Sequence, residues 1–115
     1  MHFCITVQYT PEALNGMLDD PKTNRYEAVK KLVEAGGGKL VSMYGMPSDG
    51  PGVMVIFEVT DPEMAPAIAG IAMAGGGIRE IKFTRLLTPD ELMSVQKKAR
   101  QIRASYKPPG KPAGK

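Results

Sequence analysis

Val33-Glu34-Ala35-Gly36-Gly37-Gly38-Lys39-Leu40-Val41 decides the fold, because its core recurs as Ala74-Gly75-Gly76-Gly77-Ile78. Each Ala-Gly-Gly-Gly follows a stretch with helical periodicity and precedes one rich in strand formers. A glycine run after a helix supplies the left-handed residue that ends it. The chain therefore uses one helix-to-strand connection twice, and each half of the sequence is expected to be a β-α-β unit.

Working outward, Phe3, Ile5, Val7 and Tyr9 alternate with Cys4, Thr6 and Gln8, the period-2 pattern of a half-buried strand. Thr10-Pro11-Glu12 opens a helix, with threonine as cap and proline in its first position. Pro21 interrupts that helix, and a second helical stretch with Tyr26, Val29, Leu32 and Val33 on one face runs to Gly36. Leu40–Met46 and Val53–Val59 read as strands joined by the turn cluster 47–52, hence a hairpin. Thr60 or Asp61 is expected to cap the next helix, which ends at the second triple glycine. Ile78–Leu86 is the fourth strand. Thr88-Pro89-Asp90-Glu91 starts a last helix with a capping-box spacing.

The order β-α-β-β-α-β plus one helix predicts an α+β chain. Two right-handed crossovers then give a ferredoxin-like, four-stranded antiparallel sheet with helices on one face. The expected organisation is a domain over 1–87, a C-terminal helix over 88–104 and a flexible basic Pro/Gly tail over 105–115.

Three stretches carry a resemblance: Phe3-Cys4-Ile5-Thr6-Val7-Gln8-Tyr9-Thr10-Pro11, Glu27 through Val41, and Val53-Met54-Val55-Ile56-Phe57-Glu58. Over roughly residues 1–92 the chain resembles the GYD domain family, small bacterial proteins similar to the dimeric α/β-barrel superfamily. The Gly-Tyr-Asp triplet that names the family is replaced here by Gly50-Pro51-Gly52. The resemblance thus implies a fold and a mode of pairing, and no role for that triplet is carried over.

Composition bounds the function. At 115 residues, with 43% hydrophobic and 23% charged content, the chain is one globular domain. Cys4 is the single cysteine, so no intrachain disulfide can form. The N-terminus lacks the pattern of a secretory signal, and the apolar stretch Met64–Met73 is too short to span a bilayer. A cytoplasmic protein with no membrane contact is expected. The net charge of +3 is uneven: residues 88–115 hold seven basic and two acidic side chains, which leaves the body mildly acidic. That basic helix lacks interleaved aromatics, which argues against nucleic acid as a partner.

The expected sheet has two unlike faces. Phe3, Ile5, Val7, Val53, Val55, Phe57, Ile81 and Phe83 should lie beneath the helices. The other face mixes Cys4, Thr6, Gln8, Tyr44, Met46, Met54 and Ile56 with Glu58, Glu80 and Lys82. A solvated face has no need of the methionines, and a core face would not tolerate the charges unpaired. Another copy of the chain covering that face, as the resemblance implies, reconciles the two. Candidate ligand-binding residues are Cys4, Thr6, Gln8, Tyr44, Met54, Glu58 and Lys82.

No metal or cofactor is expected. His2 and Cys4 share a face two residues apart, but there is no second histidine, and a free cysteine is more often a small buried hydrophobe. The glycine runs follow helices, where the dipole repels phosphate, so they do not form a nucleotide cradle. The leading reading is a homo-oligomeric binding or assembly module without recognisable catalytic residues, holding a small apolar molecule. The alternative is an enzyme similar to the cofactor-independent monooxygenases or isomerases of the barrel superfamily, with Glu58, Tyr44 and Lys82 converging.

Overall fold

The computed structural model describes residues 1–48 and 50–110. The element order is β1 (His2–Tyr9), α1 (Pro11–Asp19), α2 (Arg25–Ala35), β2 (Lys39–Met46), β3 (Gly52–Glu58), α3 (Met64–Ala74), β4 (Ile78–Leu86) and α4 (Pro89–Ile102). A short 3-10 turn, Arg103–Ser105, follows. The four strands form one antiparallel sheet in the order β2-β3-β1-β4. This is the ferredoxin-like arrangement expected from the duplicated connection. The tail residues 111–115 lie outside the described residues.

The central pair β1–β3 sets the core. Its register places Phe3 opposite Phe57, Ile5 opposite Val55 and Val7 opposite Val53. Phe3, Ile5, Val7, Val55 and Phe57 are buried on the helix side, where Val33 of α2 and Ala65 and Ile68 of α3 close over them. Phe3 and Phe57 stack with ring centroids 5.9 Å apart. Phe83 occupies the same face of β4, 5.2 Å from Phe3, yet remains 41% exposed on this edge strand. The expectation that it lies beneath the helices is corrected accordingly.

The two glycine turns are built alike. The left-handed residue is the second glycine of each run, Gly37 (φ 75°) and Gly76 (φ 81°), rather than Gly36, whose φ is −83°. After α2 both closing bonds form, Gly38 N–H to Val33 C=O at 2.9 Å and Gly37 N–H to Glu34 C=O at 2.9 Å. After α3, Gly76 N–H donates to Met73 C=O at 3.1 Å. The two halves are also tied together there, since Thr10 N–H donates to Gly77 C=O at 3.0 Å. Gly52 is required by close approach: a Cβ on it would fall 1.8 Å from the Val7 carbonyl oxygen.

Helix starts follow the sequence with one exception. Thr10 accepts from Ala13 N–H at 3.1 Å, and Thr88 and Glu91 form a capping box with bonds of 3.2 and 3.1 Å. The Thr88 backbone N–H and hydroxyl hold the Glu91 carboxyl below the usual carboxylate range. The third start is displaced: neither Thr60 nor Asp61 caps α3, which begins at Met64. Asp61 instead accepts from Glu63 N–H at 3.0 Å in a local turn.

Phe57→Ala is expected to destabilise the fold by roughly 3–5 kcal/mol, through lost burial and the cavity left behind. Gly37→Ala and Gly76→Ala should each cost about 1–2 kcal/mol by forcing a side chain into the left-handed region. Urea unfolding followed by circular dichroism reads all three. A Phe57→Ala change below about 1 kcal/mol would refute the central role given to this ring.

Candidate functional site

The open sheet face is built from the residues that alternate away from the core. The register aligns them in rows across β2, β3, β1 and β4: Ser42, Ile56, Cys4, Thr84; then Tyr44, Met54, Thr6, Lys82; then Met46, Gly52, Gln8, Glu80. A depression of about 350 Å³ lies over the last two rows, lined by Thr6, Gln8, Met46, Met54, Glu80, Lys82 and Thr84. Four of the sequence candidates therefore come together: Thr6, Gln8, Met54 and Lys82. At its end a bulge between Gln8 and Tyr9 lets Arg79 donate to the Gln8 side-chain oxygen.

The other three candidates are placed differently. Cys4 is half-buried one row away, and burial raises its thiol pKa above the ordinary value. Tyr44 is 62% exposed toward the β2 edge. Glu58 lies four residues along β3 from Met54, about 13 Å. It pairs there with His2 Nε2 at 3.0 Å, while His2 Nδ1 is enclosed without a hydrogen-bond partner. Three strand spacings, about 14 Å, separate Tyr44 from Lys82. These three residues share a face and are spread along and across it. Among the described residues, no three His, Cys, Asp or Glu side chains gather as a ligand set. Among the described residues, no helix is long and apolar enough to cross a membrane.

A larger space lies on the opposite side of the sheet, where sequence reasoning places only packed core. A cavity of about 500 Å³ opens between the sheet and the helices. Ile5, Val7, Val53 and Val55 form its floor, Val29, Leu32 and Ile68 its walls. Ala13, Gly16, Ala28, Ala72, Gly75 and Gly77 also line it, and these small residues are why it exists: each presents little volume where a packed core would place a larger side chain. The exposed Thr23 and Arg25 and the half-buried Tyr9 supply its polar edge. The legible signal was this set of small residues on the helices and in the glycine run after α3, next to the Pro21 break that parts α1 from α2.

Solved structures that share the architecture include two that cover most of this chain. One is the 5-chloro-2-hydroxyhydroquinone dehydrochlorinase of Burkholderia phenoliruptrix AC1100 in complex with 2,5-dihydroxybenzoquinone. It matches with a TM-score of 0.54 and 15% identity over 78% of this chain and 97% of its own. The other is the 30S ribosomal protein S6 of Thermotoga maritima, with a TM-score of 0.54 and 15% identity over 89% of this chain and 96% of its own. At such identities the likeness is one of fold. No curated protein sequence matches the chain. The GYD domain model matches residues 3–95, the whole sheet, α1 to α3 and the start of α4, and the chain belongs to the GYD domain family.

Proposed function

We propose that this protein is a small cytoplasmic binding and assembly module. It holds a compact, mainly apolar molecule and associates with itself through its open sheet face. The observation that carries the binding reading is the helix-side cavity, whose volume of about 500 Å³ falls in the range of small-molecule sites. Apolar walls favour an aromatic or aliphatic body, and Arg25, Thr23 and Tyr9 favour an anionic or hydroxylated end at the mouth. That a neighbour of the same fold is described in complex with a small quinone is in keeping with this, as an analogy of fold.

Self-association rests on the open face. Met46, Met54 and Ile56 are only partly shielded there, and no element among the described residues covers them. A second sheet laid over this face would enclose Cys4, Thr6, Gln8, Met54 and Lys82, with Tyr44 and Glu58 nearer the rim. Glu80 and Lys82 of one copy would meet the polar groups of the other.

Anilinonaphthalene sulfonate combines an apolar body with an anionic end and is a suitable probe. Saturable binding at one probe per chain is expected. Ala72→Phe fills the cavity and should abolish it, and Arg25→Gln should weaken it roughly tenfold, the worth of one charge-assisted hydrogen bond. Unchanged binding in a folded Ala72→Phe protein would sink the cavity assignment.

The open-face contact is checked separately. In sedimentation, Met54→Lys should dissociate a species that the native chain forms at micromolar concentration. A native chain already monomeric there would end the assembly reading. Alkylation of Cys4 should accelerate only as pH rises past the range of an ordinary cysteine, because burial favours the neutral thiol. It should also be faster in Met54→Lys. Equal rates in both proteins would place Cys4 outside the contact.

A further inference from the structure

The helices are not finished alike. α1 and α2 turn charged residues outward, among them Glu12, Asp19, Glu27, Lys31 and Glu34. The outer stripe of α3, Ala67, Gly70, Ile71 and Ala74, is exposed and wholly apolar, with Ile71 at 62%. A helix apolar on all sides is normally a buried one. α4 has the complementary defect. It is strongly amphipathic, with Leu92, Val95, Ala99 and Ile102 in one stripe at helical spacing, yet among the described residues its main packing partner is the 3-10 turn that follows it. Ile102 is 68% exposed.

The surface of the single chain agrees with this. It amounts to 8195 Å², whereas a compact monomer of this mass exposes about 6,100 Å². The radius of gyration is 18.7 Å, against about 13 Å for a compact domain of this length. Part of the excess of roughly 2,000 Å² comes from the chain that follows α4, and the ~800 Å² that each partner contributes to a standard interface is well below the total.

We propose that α4 of one copy packs along the outer stripe of α3 of a second copy, and reciprocally. The two helices are matched in length, 14 and 11 residues. The lack of side-chain bulk at Gly70 and its alanine neighbours lets the Leu92, Val95 and Ile102 side chains approach closely. Charge favours the exchange: Asp61 and Glu63 flank the start of α3, while Lys97, Lys98, Arg100 and Arg103 flank the stripe of α4. Reciprocal exchange, with each chain giving one helix and receiving one, makes the twofold pair the closed form of this contact. Within one chain α3 and α4 are not extensively packed together. Leu87 alone separates β4 from the Thr88 cap, and the Arg85–Glu91 pair at 3.2 Å holds the first turn against the end of β4. The contact lies on the helix side of the sheet, away from the open face, so it does not depend on sheet-face pairing.

The test uses the full chain with Cys4→Ala, Gly70→Cys and Ala99→Cys, treated with a short bifunctional maleimide. A Cβ at position 70 meets no atom within 4 Å, so that substitution is accommodated. The expected product is a covalent chain dimer, present also when Met54→Lys disables the open face. It should fall roughly tenfold when Val95→Asp places a charge in the stripe. Three results overturn the proposal: a cross-link within one chain, no cross-link, or a dimer of equal yield from Ala99→Cys without Gly70→Cys, which would set α4 against α4.

Discussion

Everything in this fold hangs on the ladder between β1 and β3. These are the two strands with neighbours on both sides, and their alternation assigns every side chain to one of two environments. Phe3, Ile5 and Val7 face Phe57, Val55 and Val53, so the hydrophobic gain is concentrated on one side. A slip by one residue would send Cys4, Thr6 and Gln8 into the core and the aromatic rings into water. Gly52 locks that register from one end through its approach to Val7. Reciprocal bonds between Met1 and Val59, both 3.0 Å, lock it from the other.

Much of this was legible in the sequence because it is local. Period-2 alternation in residues 3–9, the Thr-Pro helix starts at 10 and 88, and the repeated glycine run each specify structure within a few residues. What escaped depends on distance. The cap of α3 moved to a turn because Asp61 found a nearer backbone donor than the helix offered. Phe83 carries the right periodicity for the core, but periodicity cannot say that a ring on an edge strand stays 41% exposed. Tyr44, Glu58 and Lys82 share a face by parity. Parity fixes the side of a sheet and says nothing of the 13–14 Å along and across it that strand geometry imposes.

The cavity is the more instructive omission. Apolar side chains on the sheet face were sufficient to expect a core, whereas a core also needs volume from the opposing layer. Ala13, Gly16, Ala28 and Ala72 withhold that volume, so an apolar surface is present without being filled. Such a space forfeits dispersion contacts along its lining. A chain that keeps it is less stable than its hydrophobic content suggests, and whatever occupies it returns those contacts.

α3 joins two of the unsatisfied surfaces among the described residues. Its inner side, through Ile68 and Ala72, walls the cavity, and its outer side carries the apolar stripe on which a partner's α4 would rest. Small residues serve both sides for the same reason, since they leave room within and permit close approach without. A helix so thinly clad is held in place chiefly by what touches it. An occupant of the cavity that fixed the position of α3 would therefore also fix the outer stripe. By linkage, a partner helix seated on that stripe would tighten the cavity's hold on its occupant by the same factor. Binding and assembly would then be two readings of one poorly buried helix.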